Sequence, residues 1–113
     1  MEHLDLSYLH ENVTTEPTFI REVLQIFLEG LETDGEQLNA AIQESNHDKI
    51  KLAAHKLKSS FRSLGMTEPW HLLQKIEDVG HENGPIENIY VYKRDFDECK
   101  PAVIAEVKAY LNS

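Results

Sequence analysis

A single cysteine, Cys99, is all the thiol in the 113-residue chain, so no disulfide can form within it, and a reducing cytoplasm fits. No run is long and apolar enough to span a membrane, and the acidic start Met1-Glu2-His3-Leu4-Asp5 lacks a signal-peptide pattern. Positive charge is scarce: 11 Lys and Arg stand against 20 Asp and Glu, for a formal net charge of −9. That balance argues against general nucleic-acid binding and against an anionic membrane surface. Strand-type alternation persists nowhere, and there is no internal repeat or low-complexity tract. No Gly-rich loop is present to cradle the phosphates of a nucleotide.

What remains is helix. The hydrophobic fraction of 41% is ordinary for a globular protein, and the length suits one domain, 1–113, with one real core. Leu4, Leu6, Leu9 and Val13 suggest a short first helix over about 4–13. A second spans about 16–43, with Ile20, Val23, Phe27, Leu31, Leu38 and Ile42 as its core stripe. Thr15 is its expected N-cap, Glu16 suits the positive helix start and Pro17 a first turn; Thr67-Glu68-Pro69 reads the same way. Gly30 and Gly35 weaken the middle, so a kink or break is expected near Thr33-Asp34-Gly35. Asn46 is the expected N-cap of a third helix over about 47–64, closed by a left-handed Gly65. A fourth, built on Trp70, Leu73, Ile76 and Val79, stops near Gly80. The last covers about 86–111, where Pro101 should kink or split it. Amphipathic helices joined by short turns bury their stripes against each other. The expected fold is therefore all-α: an antiparallel up-and-down four-helix bundle with a short extra N-terminal helix.

The third helix carries the chemistry. Ile50, Ala54, Leu57, Phe61 and Leu64 recur at steps of three and four and form one core stripe. At ~100° per residue, His55 lies roughly 140° from the centre of that stripe and points to solvent. Lys51, Lys58, Ser59 and Arg62 fall on the same side. Lys49, Lys51, Lys56, Lys58 and Arg62 are five of the chain's 11 cations, and no Asp or Glu lies between Lys49 and Ser63. A local basic patch around an exposed histidine, in an otherwise acidic chain, suits one anionic group. A neutral imidazole is a good nucleophile near neutral pH because its unperturbed pKa is about 6.5.

The run Ala54-His55-Lys56-Leu57-Lys58-Ser59-Ser60-Phe61-Arg62-Ser63-Leu64-Gly65 resembles the motif of histidine phosphotransfer (HPt) domains, roughly Ala-His-x-Leu-Lys-Gly-x-x-x-x-Leu-Gly. Ser59 departs from it, standing where the family usually has Gly. The resemblance implies the same bundle, with the histidine on the outer face of a central helix. It implies a multistep phosphorelay. His55 would take a phosphoryl group, on Nε2 by family precedent, from an aspartyl-phosphate on a response-regulator receiver domain and pass it to a second receiver. A hybrid sensor histidine kinase would stand upstream. Lys58, at i+3, would offset phosphoryl charge, and Ser59, at i+4, is small enough to leave room beside the imidazole. Lys51 and Arg62 would steer an acidic partner, and Leu52 would offer it an apolar contact, with Leu6 and Leu9 adding to that surface. No cofactor is expected in this chain, since the receiver brings its own acidic Mg²⁺ site; the chain would be a cytoplasmic monomer and a carrier, with no complete kinase or phosphatase site. Met1 and the compact boundaries favour a standalone protein, the alternative being the phosphotransfer domain of a larger, chemotaxis-type kinase.

Two other readings compete. Glu44-x-x-His47 and Asp78-x-x-His81 resemble the carboxylate-x-x-His pattern of di-metal helical bundles, which would make the chain a metal-binding enzyme. Both sit at helix ends, and Asp34 is the one obvious further polar residue on a core stripe. The other reading is a bundle that binds receivers without transfer, against which His55 and Lys58 speak. His3, His10 and His71 read as surface residues and Trp70 as a core or staple residue.

Overall fold

The computed structural model describes residues 3–113, in five helices. They are α1 (Ser7–Asn12), α2 (Pro17–Gln43), α3 (His47–Ser63), α4 (Thr67–Glu82) and α5 (Ile86–Leu111). Met1, on which the expectation of a standalone chain partly rests, lies with Glu2 outside the described residues. Helices α2 to α5 pack in a ring, each antiparallel to the next, with α3 against α2 and α4, and α5 against α4 and α2. The bundle is 43 × 24 × 21 Å, and among the described residues no helix is long and apolar enough to cross a membrane.

The core follows the predicted stripes. Ile50, Ala54, Leu57, Phe61 and Leu64 are all buried, as are Ile20, Phe27, Leu31, Leu38 and Ile42 of α2. Leu24 is fully buried where Val23 was expected to lead, because the α2 stripe is wider than a single row. Phe61 is the central knob. Its ring meets Phe27 of α2 edge-on at 5.2 Å and Phe96 of α5 at 5.7 Å, so three helices share one aromatic line.

Helix ends differ from expectation in instructive ways. Asn46 does cap α3, accepting from the Lys49 amide. At α2, however, Glu16 is the N-cap and accepts from the Thr18 and Phe19 amides, while Thr14 accepts from Glu16 N–H. Pro17 has no N–H to cap, so the longer Glu16 side chain reaches the next free donors. At α4, Met66 holds the cap position without a side-chain bond, and Thr67 is the first helical residue. This helix also runs past Gly80 to Glu82 and ends at Asn83, in the left-handed conformation at φ 54°. Neither expected interruption occurs as a break. Helix α2 is unbroken through Thr33-Asp34-Gly35, where Lys56 Nζ pairs with buried Asp34 at 3.1 Å. Helix α5 is unbroken through Pro101, which sits exposed on the outer side of the helix.

Residues 3–6 strap one end of the bundle ahead of the short α1. The His3 and Leu4 amides both donate to Glu106 Oε1 of α5, and the Asp5 amide donates to Leu64 O, at the end of α3. Burial pushes the Glu106 carboxyl up, but these two amides hold it below its ordinary value. The strap passes so close to Gly65 (φ 67°) that a Cβ there would lie 2.7 Å from Asp5 Cβ and O. Glycine is required at this turn by both its backbone and its neighbour. Leu9 is buried and adds nothing to an outer apolar surface, against expectation, while Leu6 is half-buried against the core.

Candidate functional site

The site lies along the seam between α3 and α4. That seam is tight because α4 presents glycine where α3 crosses it. A Cβ on Gly80 would sit 2.9 Å from His47 O and 2.9 Å from Lys51 N. Close approach of the backbones brings two rows of side chains together: Lys51, His55, Lys58 and Arg62 from α3, and Trp70, Gln74, Glu77 and His81 from α4, each at steps of three or four.

His55 projects outward, its side chain 63% exposed. Its Nδ1 lies 3.2 Å from both carboxylate oxygens of Glu77. A carboxylate only accepts, so Nδ1 carries the proton and donates it. In the neutral ring Nε2 is then the unprotonated nitrogen, with its lone pair on the outer edge. Glu77 Oε1 also accepts from Lys58 Nζ at 2.7 Å. Lys58 donates further to Gln74 Oε1 at 2.7 Å and sits 5.5 Å from the centre of the Trp70 ring. Gln74 in turn donates to Asp78 Oδ1 at 2.8 Å. Burial pushes the Glu77 carboxyl up, but the hydrogen bonds and charges of Lys58 and His55 outweigh it and hold Glu77 below its ordinary value.

Lys58 is therefore not a free surface cation. Its side chain is 12% exposed and fixed at three contacts beside the imidazole. Ser59 directs its hydroxyl into its own helix, donating to His55 O at 3.1 Å, and so presents little bulk beside the ring. Leu52 is 66% exposed and lies in a groove between α2 and α3 with Gln37, Ala40 and Lys56. Lys51 is half-buried against the Gly80 crossing; Arg62 is exposed and, among the described residues, makes no ion pair.

Sequence reasoning missed Glu77 and Gln74. The motif ends at Gly65, and nothing local marks a carboxylate twenty-two positions on as a partner for His55. A signal was present: Trp70, Gln74 and Glu77 share one α4 face, and antiparallel α3 would bring His55 and Lys58 beside it.

The carboxylate–histidine pairs of the metal reading do not converge. His47 Nε2 bonds the Gly84 carbonyl at 2.8 Å, Asp78 is taken up by Gln74, and among the described residues no three His, Cys, Asp or Glu lie close enough to share a metal ion.

A family model described as "Hpt domain" matches residues 22–100. This chain belongs to the Hpt domain family. Among curated proteins it is similar to "Phosphorelay intermediate protein YPD1" of Candida albicans, 27% identical over 67 residues, which cover 59% of this chain. The match spans 36% of that relative's own length. No solved structure gives a significant match. The matched family region contains the whole of α3 and α4, hence every residue of the His55 network.

Proposed function

We propose that this Hpt domain is a phosphorelay intermediate that carries a phosphoryl group on His55 Nε2. The observation that carries the reading is the Glu77 bond to Nδ1, which leaves Nε2 as the outward nucleophile. The donor is an aspartyl-phosphate on a receiver domain. The Nε2 lone pair attacks phosphorus, the P–O bond to the aspartate breaks, and the aspartate leaves as a carboxylate. The ring keeps its Nδ1 proton and becomes a phosphoryl-imidazolium, whose positive charge Glu77 faces directly. Transfer to a second receiver reverses the sequence, with a neutral Nδ1–H imidazole as leaving group. Because both directions use the same tautomer, no proton has to enter or leave the site.

Access, positioning and charge compensation are what such a transfer requires of a protein. Exposure of His55 provides access. Glu77 provides orientation, and Lys58 offsets phosphoryl charge from its fixed position beside the ring. Ser59 leaves the approach open. Lys51, Arg62 and Leu52 meet the receiver, which supplies its own Mg²⁺. The upstream receiver belongs to a hybrid sensor histidine kinase, and the chain acts as a monomeric carrier rather than a kinase or phosphatase. The proposed setting is the cytoplasm, where Cys99, a half-buried free thiol pushed up to about 11 chiefly by burial, stays neutral and reduced.

The test is partner-free first. Incubation with phosphoramidate should add one acid-labile phosphoryl group, mapped to His55 by mass spectrometry and absent in His55→Gln. Labelled chain should then lose the group to a receiver domain. A labelled His55→Gln variant, or a wild type that takes up no label, would contradict the assignment.

A further inference from the structure

At the end of the α3–α4 seam away from Lys51 lies a cleft of about 290 Å³ lined by Arg62, Gly65, Met66, Thr67 and Trp70. Its floor is apolar. Met66 is packed into the core, and Trp70 rests on the core while remaining half-exposed to the cleft. Its mouth carries the exposed Arg62 guanidinium, unpaired among the described residues, and the exposed Thr67. The sequence offered Trp70 as a core or staple residue; the structure makes it also a wall open to solvent.

Two features bear on what fills this cleft. A partly exposed tryptophan beside an arginine is the composition of an interface anchor, where one apolar side chain covers the exposed part of the ring and an anion answers the guanidinium. The cleft is also continuous with the phosphorylation site. Lys58 lies 5.5 Å from the Trp70 ring centre and shares Glu77 Oε1 with His55. Whatever presses on Trp70 thus presses on the side chain that holds the His55 network together.

We infer that the Arg62–Met66–Trp70 cleft anchors the docking receiver domain, taking an aliphatic or aromatic side chain with a carboxylate next to it in the receiver's surface. The inference rests on the phosphorelay reading and adds to it the place and chemistry of a contact. Three of the five α3 cations are paired within the chain, which leaves Lys51 and Arg62 without an ion pair among the described residues; on a chain of net charge −9 these two favour an acidic partner along this face. Seating of the receiver side chain against Trp70 covers the contact that Lys58, already fixed by Glu77 and Gln74, makes with the ring, and so keeps that network in place at the moment of transfer.

Trp70 is the single tryptophan of the chain, so it reports on itself. The probe is an unphosphorylated receiver domain, chosen beforehand for its ability to drain the label from phosphoramidate-treated chain. It is titrated into ¹⁵N-labelled protein while the Trp70 indole N–H resonance is followed. The expected result is a saturable shift with the same Kd as the resonances around His55, and a Kd raised by roughly tenfold or more in Arg62→Glu and in Thr67→Arg, which closes the cleft. Both positions are exposed, and thermal unfolding of the variants verifies the fold. A Trp70 resonance that stays put while the His55 neighbours saturate, or variants with unchanged Kd, overturns the cleft assignment and leaves the phosphorelay reading standing. A Trp70 shift that follows the chain's own concentration without receiver assigns the cleft to a second copy and also overturns it. Failure of phosphoramidate to label His55 is a separate result that removes the underlying reading.

Discussion

The α3–α4 seam and the α2–α5 seam close the same ring of helices in opposite ways. At the first, Gly80 lets backbone touch backbone, and a charged network from Trp70 to His55 is threaded along the join. At the second, the helices stand apart over a groove of about 270 Å³ lined by Leu28, Leu31, Ile104, Lys100 and Lys108. The difference places precision where the chemistry needs it. An imidazole held by a carboxylate on another helix is positioned only as well as the two helices are positioned. A loose seam elsewhere costs the site nothing as long as Phe61 and its partners hold the core.

The same substitution should therefore act with opposite sign at the two seams. Gly80→Ala forces a Cβ against backbone atoms of α3 that have no rotamer to move, and should destabilise by about 2–3 kcal/mol. It should also slow phosphoramidate labelling, because the α4 side of the network is pushed off. Chemical denaturation and labelling rates measure the two effects. Next in size is Glu77→Ala. Loss of a charge-assisted hydrogen bond worth about 1.5–3 kcal/mol should slow acceptance about ten- to a hundredfold, with Glu77→Gln recovering part of the rate because it still accepts from Nδ1.

The pH response is smaller and has a fixed sign. Glu77 is depressed below the ordinary 4.5 of a glutamate, so its contribution to stability is complete above that value and is lost as pH falls through the folded-state pKa. NMR titration of the Glu77 carboxyl should show a midpoint below 4.5, and Lys58→Ala should raise it. The smallest effect is at the loose seam. A Cβ on Gly35 meets only Lys100 Nζ, at an ordinary 3.6 Å. Gly35→Ala should stabilise by about 0.5–1 kcal/mol through helix propensity, with labelling of His55 unchanged. A destabilised Gly35→Ala or a neutral Gly80→Ala would erase the contrast between the seams.

Local pattern made the helices and the core legible. Each core stripe repeats within one helix, so Ile50 to Leu64 could be read without knowing what they touch. The exposed histidine was legible for the same reason, since its angle from that stripe is a property of α3 alone. Helix ends were harder. Glu16 displaced Thr15 as cap because Pro17 removes the nearest donor, and Gly80 read as a stop although its role is contact with α3. Glu77 and the partial exposure of Trp70 were not legible from α3 at all. Both depend on how α4 is rotated and how closely it approaches, which only the packing of the two helices decides.

The protonation and phosphorylation state of the two His55 ring nitrogens decides whether Glu77 sets Nε2 as the acceptor. Long-range ¹H–¹⁵N spectra would be taken on the free protein near neutral pH and again after phosphoramidate treatment. The expected result is a neutral ring protonated at Nδ1 before treatment, and phosphorus attached at Nε2 with the Nδ1 proton retained afterwards. A free ring protonated at Nε2, or a phosphoryl group on Nδ1, would contradict it.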